Sequence, residues 1–547
     1  MPDEIQSFKV VCSGGLNSNE NHLFLAEAAP GAATRLVNFE PSLYGGYRRI
    51  EGYSLLGGLN AAVGDLLAEG PILGIAIYKN EHLGNPYIIA ARKDVGSPSY
   101  SLYQFIELSG WQKILLPPGI TLNYTSGSRT VTKLRHTQFD FGSGSQICFV
   151  DGVNPATVFD GTNWYQLTNT NTGGSSSPGG DQVVNAPAIV EVFENHLFLG
   201  GDLTSRAVIC HSSPSDPLDF TVANGAGQIT PGFNVVQFKP FRDDLFIFGV
   251  NAIKKVSPDI SAGFTLDQVT TNVGCVARDS VLEIGGDLIF LSPEGFRPVA
   301  GTSRIGDIEL TTLSKSIQVT LVNMIKNYDM DTINGVVIRG KSQVRFFVGD
   351  GTEDLEESYG IIGGLSDQSG QIGWEFGEIV GIRTSCVTSD YIGLEEYVLH
   401  GDSDGKVYRQ EEGTSFNGRD ILGVYSTPYL DFGDTETRKV LRKVNTFIRA
   451  EGPVELFLSM AYDWGTPNTP RPLNYNNQSE GGPVAYGGQD LDYAGVNVIY
   501  GGNSKPIMTS DIQGSGFSAR ATFTTIGQSK PYTIQGLVFE FSISGRR

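Results

Sequence analysis

One unit recurs through the middle of this chain and constrains its fold more than any other feature. An alternating apolar strand is followed by a tight polar turn and a second apolar strand that runs into glycine or aspartate. Clear copies are AIVEVFENHLFLGGD at 188–202, VVQFKPFRDDLFIFG at 235–249 and VLEIGGDLIFLSPEG at 281–295. The pairs Asn195-His196, Asp243-Asp244 and Gly285-Gly286 sit where a short hairpin turn needs a positive φ or local side-chain bonding. Looser copies are ILGIAIYKNEHLGNPYIIAARKD, TQFDFGSGSQICFVDG, NGVVIRGKSQVRFFVGDG and SDYIGLEEYVLHGDSDG. One residue from each second strand (Ile88, Ile147, Leu197, Leu245, Leu288, Val344, Val398) gives successive intervals of 59, 50, 48, 43, 56 and 54 residues. Propeller blades repeat every ~40–50 residues, with the excess in loops.

Each hairpin leads into a third short strand, such as SLYQFIEL, AVICHSS, AIKKVSP or GKVYRQE. Several units add a fourth, such as GWQKILL, NWYQLTN or GWEFGEI. Four-stranded meanders at this interval predict radial blades. The fold class is therefore all-β: a β-propeller of about seven blades, with six or eight still open. A stack of β-sandwiches is the alternative, although sandwich strands succeed one another at ~8–12 residues without a longer period.

The ends differ from the middle. Residues 1–70 hold short strands and an arm that packs on the propeller or on the C-terminal domain. The propeller occupies 71–422, and a C-terminal β domain of sandwich type occupies 423–547, with a long loop at 466–502. Within it, TPYLDFGDTETRKVLRKVNTFIRAEGPVELFLSMAYDWG reads as three strands. In the closing YTIQGLVFEFSISGRR, Leu537, Phe539, Phe541 and Ile543 alternate with polar or smaller residues and predict one buried face. Ile317, Leu321, Met324, Ile325 and Tyr328 fall at helical spacing. They predict one helix inserted between blades, packed on the rim or docking a partner.

Composition narrows the class. Glycine supplies 69 of 547 residues, well above the usual ~7%, as a turn-rich β protein requires. The formal net charge is −20, which argues against a protein that wraps DNA through a basic footprint. Five scattered cysteines (Cys12, Cys148, Cys210, Cys275, Cys386) with no CxxC pair read as buried reduced thiols. The N-terminus lacks the pattern of a secretory signal, and no apolar run reaches membrane-spanning length. We expect assembly in a cytoplasm and no membrane anchor.

The search for chemistry finds no phosphate loop, no HExxH pair and no GxSxG elbow. His22 and His196 share the context NHLFL and read as turn or strand-edge residues. Cys210 and His211 are neighbours on a strand and point to opposite faces, so they cannot act as nucleophile and base. The acids Asp350, Glu353, Asp354, Glu356 and Glu357 read as a solvated loop, and the turns at 151–164 and 401–407 as hairpin turns rather than calcium loops. We expect no enzyme, no catalytic residue, no cofactor and no metal. Trp111, Trp164, Trp374 and Trp464 are placed either in blade cores or against sugars.

At NFEPSLYGGYRRIEGY the chain resembles the tail nozzle proteins of short-tailed bacteriophages, the family also called tail tubular protein B or packaged-DNA stabilisation proteins. Three further stretches carry the resemblance: FENHLFLGGD with RAVICHSSPSDPLDF, FRDDLFIFGVNAIKKVS with SVLEIGGDLIFLSPEGFRPVAG and RIGDIELTTLSKSIQ, and the closing YTIQGLVFEFSISGRR. The resemblance implies a propeller plus a second β domain. It also implies a structural virion protein that forms a homohexameric ring in the tail tube, retains packaged DNA and conducts it during ejection. A tail adaptor would sit above it and needle or fibre proteins nearby. Double-stranded DNA would pass without tight binding, which the acidic balance favours. Arg48, Arg49 and Glu51 are candidates for a subunit or domain interface, or for salt bridges on the subunit's own surface. A glycan-binding or glycan-degrading propeller, on a phage tail or in a bacterium, is the competing class. A generic interaction propeller is the third.

Overall fold

The computed structural model describes residues 5–42, 45–57, 70–80, 87–106, 109–259, 263–299, 312–348, 358–368, 371–464, 475–479 and 507–546. Six small sheets form a six-bladed β-propeller. Five are built from consecutive strands, at 72–113, 135–166, 189–229, 237–270 and 282–298. The sixth joins strands at 386–410 to the N-terminal strand Tyr53–Leu55. Between the fifth and sixth stands a meander at 333–380. Its first strand, Ile333–Ile338, lies against the innermost strands of both neighbours. The meander fills a place in the ring without being a separate sheet, because Gln371–Val380 continues through Arg35–Val37 into a nine-stranded sheet. The seven hairpins that the sequence repeats are thus all present, six in independent blades and the one holding Val344 shared with the second body.

Blade strands are almost continuously apolar because each feeds two cores. In His196–Gly200, Leu197 and Leu199 point into the cluster shared with the preceding blade, and Phe198 into the cluster shared with the next one. All three are fully buried, each stabilising the fold by about 1.5–3 kcal/mol relative to exposure. The hairpins turn in two residues, as their pairings Phe193↔His196, Phe241↔Asp244 and Ile284↔Asp287 require. Two turns lie one residue earlier than expected, at Glu194-Asn195 and Arg242-Asp243. Glu194, Asn195 and Arg242 take the positive φ there, and the Gly285-Gly286 turn stands where the sequence put it.

The aspartate that ends several second strands has a mechanical role. Asp151 Oδ1 accepts the N–H groups of Val153 and Asn154 at 2.8 and 2.7 Å, and its Oδ2 accepts the Tyr100 hydroxyl at 2.7 Å. Asp402 repeats the arrangement, accepting the N–H groups of Asp404 and Lys406 and the Tyr408 hydroxyl. These carboxylates are spent on tying the blade turns, so the calcium-like spacing at 151 and 402 is turn chemistry.

The ring is closed by the N-terminal segment. Tyr53, Ser54 and Leu55 pair with Gln410, Arg409 and Tyr408 as the outer strand of the last blade. Gly52 lets this strand approach. A Cβ there would stand 2.1 Å from the carbonyl oxygen of Ser415.

The nine-stranded sheet faces a seven-stranded sheet across the largest core cluster, which makes the C-terminal body a sandwich. The seven-stranded sheet is centred on Thr437–Ala450 and Tyr532–Arg546, and Ile5–Val11 pairs with the latter from the other end of the chain. Leu537, Phe539 and Phe541 are buried as expected. Ile543 is exposed, because the strand has by then run past the core. Of the three strands read in 427–465, Thr437–Ala450 and Val454–Tyr462 form. The first is reduced to a single bridge between Leu430 and Ala519, since Pro428 and the Asp431-Phe432-Gly433 turn leave too little extended chain. The expected loop at 466–502 lies outside the described residues except for the strand Tyr475–Ser479, and so do the five acids at 350–357.

Two α-helices are described. The expected helix is Gln318–Asn327 (α2), entered through a 3-10 turn at Lys315–Ile317. Ile317, Leu321 and Met324 are buried, with Ile325 and Tyr328 packed against the same core. The other helix, His22–Ala28 (α1), corrects the reading of His22. The hexapeptide Glu-Asn-His-Leu-Phe-Leu occurs twice, at 20–25 and 194–199. At 194–199 it makes a hairpin turn and a buried strand. At 20–25 Asn21 caps a helix, its side chain accepting the Phe24 N–H at 2.8 Å. The residues immediately downstream decide between the two: Ala26-Glu27-Ala28 propagates a helix, whereas Gly200-Gly201 does not.

Candidate functional site

The seven strands that wall the propeller axis enclose a throat cavity of about 200 Å3. Charged residues occupy it. Lys133 and Arg135, from the second blade, meet Asp279, which leads into the fifth. Lys133 Nζ lies 2.8 Å from Asp279 Oδ2 and Arg135 Nε 2.7 Å from Oδ1. Arg135 Nη2 also donates to Oδ2 at 2.8 Å, so the guanidinium grips the carboxylate with both prongs of its fork. Lys133 makes a further hydrogen bond to the Ile333 carbonyl on the meander. Beside them Lys239 of the fourth blade pairs with Glu191 of the third. The plug therefore crosslinks blades around the ring.

Electrostatics come from that burial. Arg135 and Lys133 hold the Asp279 carboxyl far below the ordinary carboxylate range, outweighing the desolvation that raises it. Burial pulls Lys133 down despite Asp279. Burial also raises Glu191, with Lys239 opposing. His136, enclosed next to Lys239, is pushed down to about 4 by desolvation and is neutral at pH 7. The Cys386 thiol on the throat wall is pushed up to about 12 by burial, and a protonated thiol is a poor nucleophile. Such a site can hold the ring together and stop its axis. A passage filled by single side chains does not admit a nucleic-acid duplex.

At one mouth of the axis the throat opens into a larger cavity, about 320 Å3, edged by Tyr124, Thr132, Lys133, Asp331, Arg383 and Thr384 among others. Sequence reasoning singled out none of the throat or mouth residues, because their partners lie 48 to 200 residues away. A signal was nonetheless there. Glu191 and Lys239 interrupt the otherwise apolar first strands of their hairpins, and Lys133 and Arg135 precede or open another.

Arg48, Arg49 and Glu51 have different fates. Arg48 is the hub of an ion network, 2.8 Å from Glu40, 2.6 Å from Glu51 and 2.7 Å from Glu451, which lies in the turn between two sandwich strands. Glu40 in turn holds Lys341 and Arg345 of the meander. Both of these also reach Glu411, just past the last blade strand. Arg345 is 99% buried on its side chain, so this network pins the propeller, the N-terminal strands and the sandwich at one point. Arg49 is fully buried and donates to the Ser529 carbonyl, and its Nε and Nη1 have no hydrogen-bond partner among the described residues. Glu51 serves only as an acceptor for Arg48.

Cys210 is buried and its thiol raised to about 12, and His211 turns away toward His196, Phe198 and Phe264. The five cysteines are free and buried. Trp164 stacks on Phe159 and Trp374 on Phe376, while Trp111 packs on Phe105. Trp464 alone of the four is exposed, stacked on Tyr429. No protein-family model and no curated protein sequence matches this chain.

Proposed function

We propose that the chain is a structural subunit of the tail nozzle of a short-tailed bacteriophage, assembled as a ring that retains packaged DNA and conducts it during ejection. The observation that carries the reading is where the family-like stretches fall. NFEPSLYGGYRRIEGY contributes Phe39–Pro41 and Tyr47–Arg49, the strands from which Glu40 and Arg48 lock propeller to sandwich. The closing stretch is the central strand of the seven-stranded sheet, and the others are blade hairpins. The resemblance thus lies in scaffolding, as suits a virion part whose work is mechanical. Because ion pairs stop each propeller axis, the DNA conduit of such a ring lies between subunits. The net charge of −20 keeps that wall from gripping phosphates.

Negative-stain imaging of the purified chain, alone and with candidate adaptor and needle proteins, tests the reading. Rings with a central channel are expected, and a persistent monomer in both samples refutes it. A gel-shift series at low salt is the second arm, where tight, salt-sensitive duplex binding would sink the sliding conduit. A glycan-binding propeller is the second reading, favoured by the hydroxyl-edged cavity at the propeller mouth. Release of reducing ends from host polysaccharide would favour a glycan-degrading form of it.

A further inference from the structure

The mouth cavity forms where the segments leading into Ile72–Tyr78, Arg135–Phe139, Ile333–Ile338 and Cys386–Ile392 converge. Its volume of about 320 Å3 lies at the low end of the roughly 300–1,000 Å3 of clefts that bury small molecules. It has room for one small ring and not for a chain.

Its polar groups specify the chemistry. Lys133 stands at the floor, where mouth and throat meet. An ammonium has three N–H donors. Asp279 and the Ile333 carbonyl take two of them, which leaves one for a ligand. Thr384 is 96% buried in the wall, and its hydroxyl has no hydrogen-bond partner among the described residues. A buried hydroxyl without a partner costs about 1–3 kcal/mol, which a bound oxygen would recover. Thr132 and Ser403 add hydroxyls at the edge, and Asp331 an acceptor carboxylate.

The charges argue against an anion. Asp279 answers Lys133, and Asp404 answers Arg383 at 2.7 Å. Asp331 would repel an anionic ligand while accepting from hydroxyl groups. Tyr124, with Lys93 4.6 Å from its ring centroid, and Pro71 supply apolar surface for a C–H face. We propose that this cavity binds a single neutral sugar unit. The proposal stands apart from the nozzle reading, since a ring subunit and a lone propeller would both carry the site.

The test is titration of the full-length protein with D-glucose, D-galactose, D-mannose and N-acetyl-D-glucosamine, monitored by saturation-transfer NMR and calorimetry, with sodium phosphate and sodium sulfate as the anion arm. At least one sugar should saturate. Asp331→Asn, at an exposed position, should weaken it about tenfold, the loss of one strong hydrogen bond. Thr132→Trp, also exposed, should abolish it by filling the mouth, with circular dichroism confirming an unchanged fold in both variants. Failure of all four sugars to saturate the folded protein overturns the proposal, as does sugar binding indifferent to both substitutions. Saturation by phosphate or sulfate that strengthens in Asp331→Asn overturns the neutral class. None of these results bears on whether rings form.

Discussion

Asp279→Asn removes the negative charge that answers both Lys133 and Arg135 in the throat while nearly keeping the side chain's shape. The two cations then sit in the interior without their counter-charge. Breaking a buried ion pair by deleting one partner costs about 3–5 kcal/mol, mostly through the charges left behind. At ~2.1 cal/mol/K per residue, a unit of roughly 340 propeller residues unfolds with an entropy near 0.7 kcal/mol/K. The loss should therefore lower the melting temperature by about 4–7 °C at pH 7, read by differential scanning fluorimetry. The pH dependence carries a sign that packing alone would not. Asp279 is held below the ordinary carboxylate value, so its contribution is complete above the unfolded value of about 3.9 and declines as pH falls toward the folded one. The gap between wild type and variant should narrow from pH 7 to pH 3. A shift under 1 °C at pH 7, or a gap as wide at pH 3 as at pH 7, would refute the argument that the throat is held by charge.

Other substitutions probe separate joints. Gly52→Ala should loosen the ring closure by about 1–3 kcal/mol, because its Cβ meets the Ser415 carbonyl; limited proteolysis near residue 53 reports it, and wild-type resistance would contradict the tight approach. The two copies of the hexapeptide should respond oppositely. Asn21→Ala removes a helix cap and costs ~1 kcal/mol, whereas Asn195→Gly, at a φ of 57°, should be neutral or stabilising in thermal melts. His400, whose ring nitrogens are buried without partners among the described residues, is pushed down to about 3 by burial. The stability it permits is complete above the unfolded value near 6.5 and falls as pH drops toward 3. His400→Phe should raise the melting temperature and flatten the stability profile between pH 6.5 and pH 3, and an unchanged slope would speak against it.

The propeller was legible because each of its hairpins carries both of its strands within some fifteen residues, so pattern and pairing coincide in the sequence. The same locality explains the blade count. The meander at 333–380 has the hairpin pattern of a blade, and nothing local announces that Gln371–Val380 pairs in parallel with Val37, more than 300 residues upstream. The two fates of Glu-Asn-His-Leu-Phe-Leu show the limit most directly: identical residues, with the outcome set by their downstream neighbours. The throat plug and the Arg48 network were not legible, since Lys133 and Asp279, or Glu40 and Arg345, are brought together only by closure of the whole ring. Arg48 itself stood out in the sequence, but its partners Glu40 and Glu451 did not.

That Tyr53–Leu55 completes a blade whose other strands end at Gln410 has a consequence for how the protein is made. Residue 53 leaves the ribosome early and must wait for roughly 350 more residues before its partner strand exists. At about 5–20 residues per second, that is on the order of 20–70 s. Ile5–Val11 waits longer still, for a strand that ends at Arg546. The first five blades can pack one on another as they emerge, while the opening segment stays unpaired, with free strand edges, until the chain is nearly released. Chaperone dependence and aggregation during synthesis should therefore track the N-terminal 57 residues rather than the blades, and slowing translation after residue 410 should prolong the vulnerable interval.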